Sequence, residues 1–268
     1  MYNQSMKYTL FLLVVTLFSG CAMQKVESQS KKIDDKPIAQ TKTKQPVLVE
    51  LFTSEGCSSC PPADKALASL RKEQAYANTE VITLSFHVDY WNYLGWKDEF
   101  SSKFFSQRQE NYANALQLNG SYTPQMVVDG TNEFVGSNLA KISLAMNSAP
   151  KNEKGRVELE LAKDVTLKLN ISELPTHEAA SVLVAIAEDN LLTDVKRGEN
   201  GGRKLEHDSV VRELKSVGSI TSGQKSFEIE IQPQFDAKWK RKDLRIVVFV
   251  QENESRKVIA VGQTSVIR

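Results

Sequence analysis

The stretch Glu50-Leu51-Phe52-Thr53-Ser54-Glu55-Gly56-Cys57-Ser58-Ser59-Cys60-Pro61-Pro62-Ala63-Asp64 constrains the fold of this chain more than any other. An apolar run, Val47 to Phe52, stops at small and polar residues, two cysteines follow at C-x-x-C spacing, and Ala63, Ala66, Leu67 and Leu70 then set a helical period. The order predicts a strand, a turn carrying two thiols, and a helix. Two cysteines so spaced at a helix start close a small disulfide with little backbone movement. The free N–H groups of a helix start also favour a thiolate over a thiol. Pro61 and Pro62 each disfavour helical geometry in the residue before them, so either Cys60 lies close to the N-cap or the first turn is distorted. In both cases Cys57 is expected before or at the helix end, in the exposed position of an attacking thiol, with Cys60 behind it. Glu55 and Asp64 oppose thiolate formation, so an extremely depressed thiol pKa is not expected.

The third cysteine, Cys21, closes an N-terminal apolar segment: Lys7, then Leu10 to Phe18, then Ser19 and Gly20. This is the pattern of a secretory signal peptide over residues 1–20, too short for a membrane span. Leu17-Phe18-Ser19-Gly20-Cys21 resembles the bacterial lipoprotein box, which implies lipidation at Cys21 and a membrane anchor. Ala22 in place of Asp resembles the pattern sent to the outer membrane, facing the periplasm; a plain secreted or periplasmic protein is the alternative. Residues 21–46 are rich in Lys, Gln, Ser, Thr and Asp without hydrophobic period, and are read as a lipidated, disordered tether. Export places the C-x-x-C in an oxidising compartment where disulfides persist.

The 268 residues suit two domains after the leader, and 41% hydrophobic with 25% charged residues is globular composition. A net charge of +1, from 34 basic and 33 acidic side chains, gives no field for nucleic acid. The expected fold is α/β over residues 47–150, followed by an all-β, sandwich-like domain over 155–268. In the first part, Val81 to Val88 reads as a central strand whose end places His87, Asp89, Tyr90 and Trp91 near the thiols. Helices anchored by Phe100, Phe104, Phe105, Tyr112 and Leu116 follow, with Arg108 on a more polar face. Thr123-Pro124 then enters a strand ending in Asp129-Gly130, a hairpin signal, before Glu133 to Val135 and a closing helix over Leu139 to Met146. After Pro150, short alternating strands run to Val261. They are interrupted between Asp194 and Leu214 by a long glycine-rich loop, Gly198 to Asp208, of the kind that is often functional. His207 is read as anchoring that loop, and His177 as a surface residue.

Strand, C-x-x-C, Thr123-Pro124 before a strand and a closing helix together resemble the thioredoxin superfamily. Three longer motifs, Leu51 to Pro62, Phe86 to Trp91 and Tyr122 to Gly130, resemble a family of exported bacterial proteins with a thioredoxin-like domain and no assigned function, over most of residues 47 to 261. The resemblance implies that Cys57 attacks, Cys60 resolves, and Pro124 is a cis-proline. It departs at Gly56, where thioredoxins carry tryptophan, and at Glu50, one residue out of register with their buried acid. Thr123, Pro124, His87, Tyr90 and Trp91 are the candidate substrate-binding residues.

The expectation from these features is an exported thiol–disulfide oxidoreductase-like protein, its partner a protein or small-molecule thiol or disulfide, with no cofactor. Two alternatives stay open. The same thiols, with His87, suit Cu(I) binding or delivery, or the disulfide staples an envelope interaction protein that has no catalytic role. One C-x-x-C pair is too few ligands for structural zinc, and no resident metal is expected. No G-x-S-x-G elbow or phosphate-binding loop is present.

Overall fold

Val47, Leu48, Val49, Leu51 and Phe52 are wholly shielded from water, as a run apolar on both faces requires. They form β1 (Gln45–Thr53). The computed structural model describes residues 44–266. The expected signal peptide, Cys21 and the tether up to residue 43 lie outside the described residues. Among the described residues no helix is long and apolar enough to cross a membrane.

From β1 the chain continues through α1 (Pro61–Glu73), β2 (Thr79–His87), α2 (Lys103–Ala115), β3 (Gln125–Val128), β4 (Asn132–Val135) and α3 (Leu139–Ser148). β2 pairs parallel to β1 and β3 antiparallel to it, and the register sets Thr53 beside His87. Asp129 and Gly130, both at positive φ, turn the β3–β4 hairpin as expected. Helices cover both sheet faces. Leu67 and Leu70 of α1 with Ile142 and Met146 of α3 pack on Val47, Val49 and Leu51, while Phe105 and Tyr112 of α2 pack on Leu48, Phe52 and Phe86. Ser102 and Asn138 cap α2 and α3 by accepting first-turn N–H groups. Phe104, expected as an anchor, is 57% exposed, because its neighbour Phe105 holds the inward position.

The second half supplies β5 (Arg156–Leu161), β6 (Leu167–Ser172), β7 (Ala180–Glu188), β8 (Leu191–Asp194), β9 (Lys204–His207), β10 (Val210–Ile220), β11 (Phe227–Ile231), β12 (Leu244–Glu252) and β13 (Val258–Ser265). A three-stranded sheet, β11-β6-β5, lays Leu167, Leu169 and Ile171 on Val182, Val184, Ile246 and Val248. Sandwich packing is therefore present, but not in a domain of its own. β13-β12-β7-β10 continue directly into β2-β1-β3-β4 as one eight-stranded mixed sheet. The join is made by Val210 pairing with Ser85 and by the Ser85 N–H donating to Ser209 O at 2.7 Å. Phe52, Phe86 and Tyr112 share one apolar core with Ala185, Ala187, Val247 and Phe249. The expected division at 150 to 155 is thus a change from helices to strands within one compact unit. Salt bridges from Arg71 and Lys72 of α1 to Asp208, and from Arg71 and Arg245 to Asp189, brace the same seam.

Candidate functional site

The site is built at the carboxyl ends of β1 and β2. Beyond Thr53 the backbone folds into two tight turns, with Cys57 N donating to Ser54 O and Cys60 N to Cys57 O. Cys57 and Cys60 are joined in a disulfide. Cys60 is the N-cap residue of α1, and Pro61 and Pro62 occupy the first helical positions, where a missing N–H costs nothing. Cys60 nonetheless keeps right-handed helical geometry (φ −79°, ψ −36°), and its carbonyl accepts from Ala63 and Asp64. The steric preference imposed by the following proline is overridden by these two bonds.

Cys57 was expected to be exposed and is not: both cysteines are 0% exposed, and only Ser58 and Ser59 of the turn face solvent. Two elements account for this. A Cβ added to Gly56 would lie 3.0 Å from the Trp91 Cβ, so the tryptophan packs directly on the turn. On another side the glycine-rich loop closes in, with Asn200 Nδ2 donating to Glu55 O (2.9 Å) and Cys57 O (3.0 Å), and Ser58 N donating to Glu199 Oε2 (3.1 Å). The Ser58 hydroxyl and N–H hold the Glu199 carboxyl below its ordinary pKa.

Trp91 also donates from Nε1 to Thr123 Oγ1 (2.8 Å), linking the thiol turn to the Thr123–Pro124 peptide, which is cis. Pro124 reaches the first turn of α1 across Gly136, whose absent side chain leaves room for Ala63, Leu51 and Pro124 together. Of the candidate residues, Trp91 therefore packs on the thiol turn and bonds Thr123, while Pro124 lies near the first turn of α1 across Gly136. Tyr90 donates to Gln109 Oε1 of α2 (3.0 Å) and lies beside Thr123, and its phenol is pushed up to about 12 by burial, against the pull of Gln109 and Thr123. Tyr93, 82% exposed, and Leu94 extend an apolar rim from Trp91.

Beneath the turn lies a cluster of buried ionisable groups. His87 Nδ1 meets Asp98 Oδ2 at 2.7 Å, and the same carboxylate accepts N–H groups from Glu55 and Phe100. Burial works against a charged His87, but Asp98, with Asp64 and Glu55 behind it, outweighs burial and leaves the His87 pKa raised. Burial likewise opposes the Asp98 carboxylate, yet His87 and the two N–H donors hold its pKa below the ordinary range. Asp64, one helical turn after Cys60, is pushed up by burial more than His207 and His87 pull it down.

The His207 ring lies 5.0 Å from the His87 ring and 5.6 Å from that of Phe100. Its Nε2 is 3.2 Å from Glu55 Oε1 without the alignment of a hydrogen bond, while Trp96 Nε1 donates to Glu55 Oε2 (2.7 Å). Glu55 Oε1, His87 Nε2, Thr53 Oγ1 and both His207 nitrogens have no hydrogen-bond partner. His207 thus belongs to the site and does not merely anchor its loop. His177, expected on the surface, is buried, with its ring nitrogens against the carbonyl oxygens of Glu178 and Gln224.

Glu50 has no part in this cluster. It is buried on the other side of β1, where Arg108 and Tyr112 bind its carboxylate and Gln251 bonds to both partners. Arg108, expected on a polar face, is drawn inward by that carboxylate and lies over the Phe86, Tyr112 and Phe249 rings. Asp98 and Asn200 escaped sequence reasoning. Asp98 sits in a polar loop with no motif, and for Asn200 the one signal was the glycine spacing of its loop.

A family described as proteins of unknown function, DUF1223, matches residues 48–251. The chain belongs to that family. An X-ray crystal structure of a protein from Agrobacterium tumefaciens is similar over 84% of this chain and 95% of its own, at 32% identity and a TM-score of 0.66. HBP35 of Porphyromonas gingivalis, at 19% identity, shares the fold with a TM-score of 0.59 over 83% of this chain and 76% of its own. No curated protein matches. The family match spans the disulfide turn, the cis Thr123–Pro124 peptide and the glycine-rich loop alike.

Proposed function

We propose that the protein is an exported thiol–disulfide oxidoreductase-like protein in which Cys57 and Cys60 exchange disulfides with a cell-envelope partner. The observation that carries this is the Cys57–Cys60 disulfide at the amino end of α1, joined through Trp91 to the cis Thr123–Pro124 loop. The succession β1-α1-β2-α2-β3-β4-α3, with strand order β2-β1-β3-β4, supports a thioredoxin-like assignment for this part of the sheet. In the reduced state a Cys57 thiolate attacks a partner disulfide, a partner thiolate leaves, and a mixed disulfide forms. Cys60, as thiolate, then attacks Cys57 Sγ, restoring the Cys57–Cys60 bond and releasing the second partner thiolate. Two electrons pass to the partner, and no cofactor takes part. Lipidation at Cys21 would hold this chemistry at a membrane in the oxidising envelope.

A structural staple is the second reading, and the complete burial of both cysteines favours it. The copper reading has only the two thiols behind it, since among the described residues no group of three or more His, Cys, Asp or Glu is suited to a metal ion. Trapping separates exchange from a staple. Cys60→Ser in cells is expected to accumulate mixed disulfides through Cys57, visible as species that collapse on reduction. Recovery of no more partner than with the Cys57→Ser/Cys60→Ser double variant contradicts exchange.

A further inference from the structure

The loop over the disulfide is a small structure in its own right. Val195 N donates to Arg203 O, Gly202 N to Val195 O and Gly201 N to Gly198 O, and Gly198 and Gly202 take φ of 77° and 82°, which side chains other than glycine rarely tolerate. It rises from the β8–β9 pair, which is separate from the large sheet. This strap is therefore fixed at its base by its own pairing and at its tip by the thiol turn. Asn200 is 0% exposed and spans the Glu55 and Cys57 carbonyls, with Arg203 donating to its Oδ1 (3.0 Å), whereas Glu199, Gly201 and Gly202 around it are exposed. Gly198 lies against Trp96 and the Leu94 carbonyl, so the strap also touches the apolar rim.

Building on the exchange reading, we propose that the strap is a substrate gate: Asn200 and Glu199 hold it over the oxidised disulfide, and reduction of Cys57–Cys60 releases it. In the oxidised state both sulfurs are neutral, and the Glu199 carboxylate takes the Ser58 N–H at the positive end of α1. Reduction by a partner dithiol proceeds in two displacements. Its thiolate attacks Cys57 Sγ, forming a mixed disulfide, and the Cys57–Cys60 bond breaks with its electron pair on Cys60, which takes up a proton. The partner's second thiolate then closes the partner's own disulfide and expels Cys57 as a thiolate. That new anion sits one residue from Ser58, competes for the same helix end, and repels Glu199. Closure thus accompanies the oxidised state and opening the reduced one. Only a partner able to displace Asn200 from the turn reaches the oxidised pair, which makes Asn200 and Glu199 positioning residues for selectivity.

The test uses the full chain. Reduction of the 57–60 bond by dithiothreitol is followed by alkylation and peptide mapping, and backbone hydrogen exchange of residues 196–204 is compared in the oxidised and reduced wild type. Asn200→Ala removes two hydrogen bonds from the turn and is expected to speed reduction about tenfold; Glu199→Gln speeds it less. In the wild type, strap amides are expected to exchange faster after reduction. An unchanged reduction rate in Asn200→Ala, or equal exchange in both redox states, overturns the gate. If Asn200→Ala does not fold, Glu199→Gln carries the rate test, since the Glu199 side chain is exposed. Failure of the gate leaves Cys60→Ser trapping untouched. A strap that opens on reduction in a chain that traps no partner keeps the gate and removes the exchange reading.

Discussion

At the seam of the large sheet Glu50, Arg108, Tyr112 and Gln251 saturate one another, whereas under the disulfide Glu55, Asp64, His87, Asp98 and His207 leave several polar atoms without a protein partner. Both clusters are buried and both flank β1. In the first, both oxygens of the Glu50 carboxylate face a donor, Arg108 on one and Tyr112 on the other, so the charge is held in place. Such a pair contributes specificity more than stability, and its members cannot be removed singly. In the second, His87 and Asp98 form a tight pair, but Glu55 and His207 approach without proper alignment. Buried polar groups that lack protein partners are uncommon in native structures. The lesson is that burial alone does not distinguish the two clusters; satisfaction of their polar groups does.

The contrast can be broken by single substitutions. Arg108→Met leaves Glu50 charged and uncompensated inside the shared core, and is expected to cost about 3–5 kcal/mol in urea unfolding. The double variant Glu50→Gln/Arg108→Met should recover most of that loss. If Arg108→Met is silent, the Glu50 charge is not held by this cluster.

Asp98→Asn is expected to cost less, about 1–3 kcal/mol, by weakening one charged hydrogen bond in an already under-satisfied cluster. It also sharpens the comparison through pH. The raised His87 pKa contributes stability fully below the ordinary imidazole value of about 6.5, lost as pH rises through the folded value. The lowered Asp98 pKa contributes above the ordinary carboxylate value of about 3.8, lost as pH falls through the folded value. The pair is therefore strongest between those two pH values, and unfolding of the wild type followed across pH should show both limbs. Asp98→Asn should flatten them, and an unchanged profile would place the pH dependence elsewhere.

Much of the fold was legible because its segments are locally regular. β1, β2, the Asp129-Gly130 hairpin and β5, β6, β7, β11, β12 and β13 each carry an uninterrupted apolar run or a clean alternation. β10 does not. Its pairing with β7 shifts register between Val211 and Glu213 and again between Ser216 and Gly218. Each bulge inserts a residue and resets the two-residue period, so Val210 to Ile220 resembles neither strand nor helix in sequence. β10 is also the strand that joins the halves, which is why one sheet looked like two domains. At the site, the disulfide, Trp91 and Thr123–Pro124 were visible as motifs. Glu50 with Arg108 and Glu55 with His207 were not, because those partners lie 58 and 152 residues apart and meet only through the sheet.

The most direct test of exchange at Cys57–Cys60 is the reduction potential of that couple, measured by equilibration in dithiol and glutathione buffers with peptide mapping of both cysteines. An exchanging site is predicted to equilibrate above about −300 mV and to react with its buffer thiols. A potential well below about −300 mV, with the bond untouched by glutathione, would identify a structural staple and contradict the account.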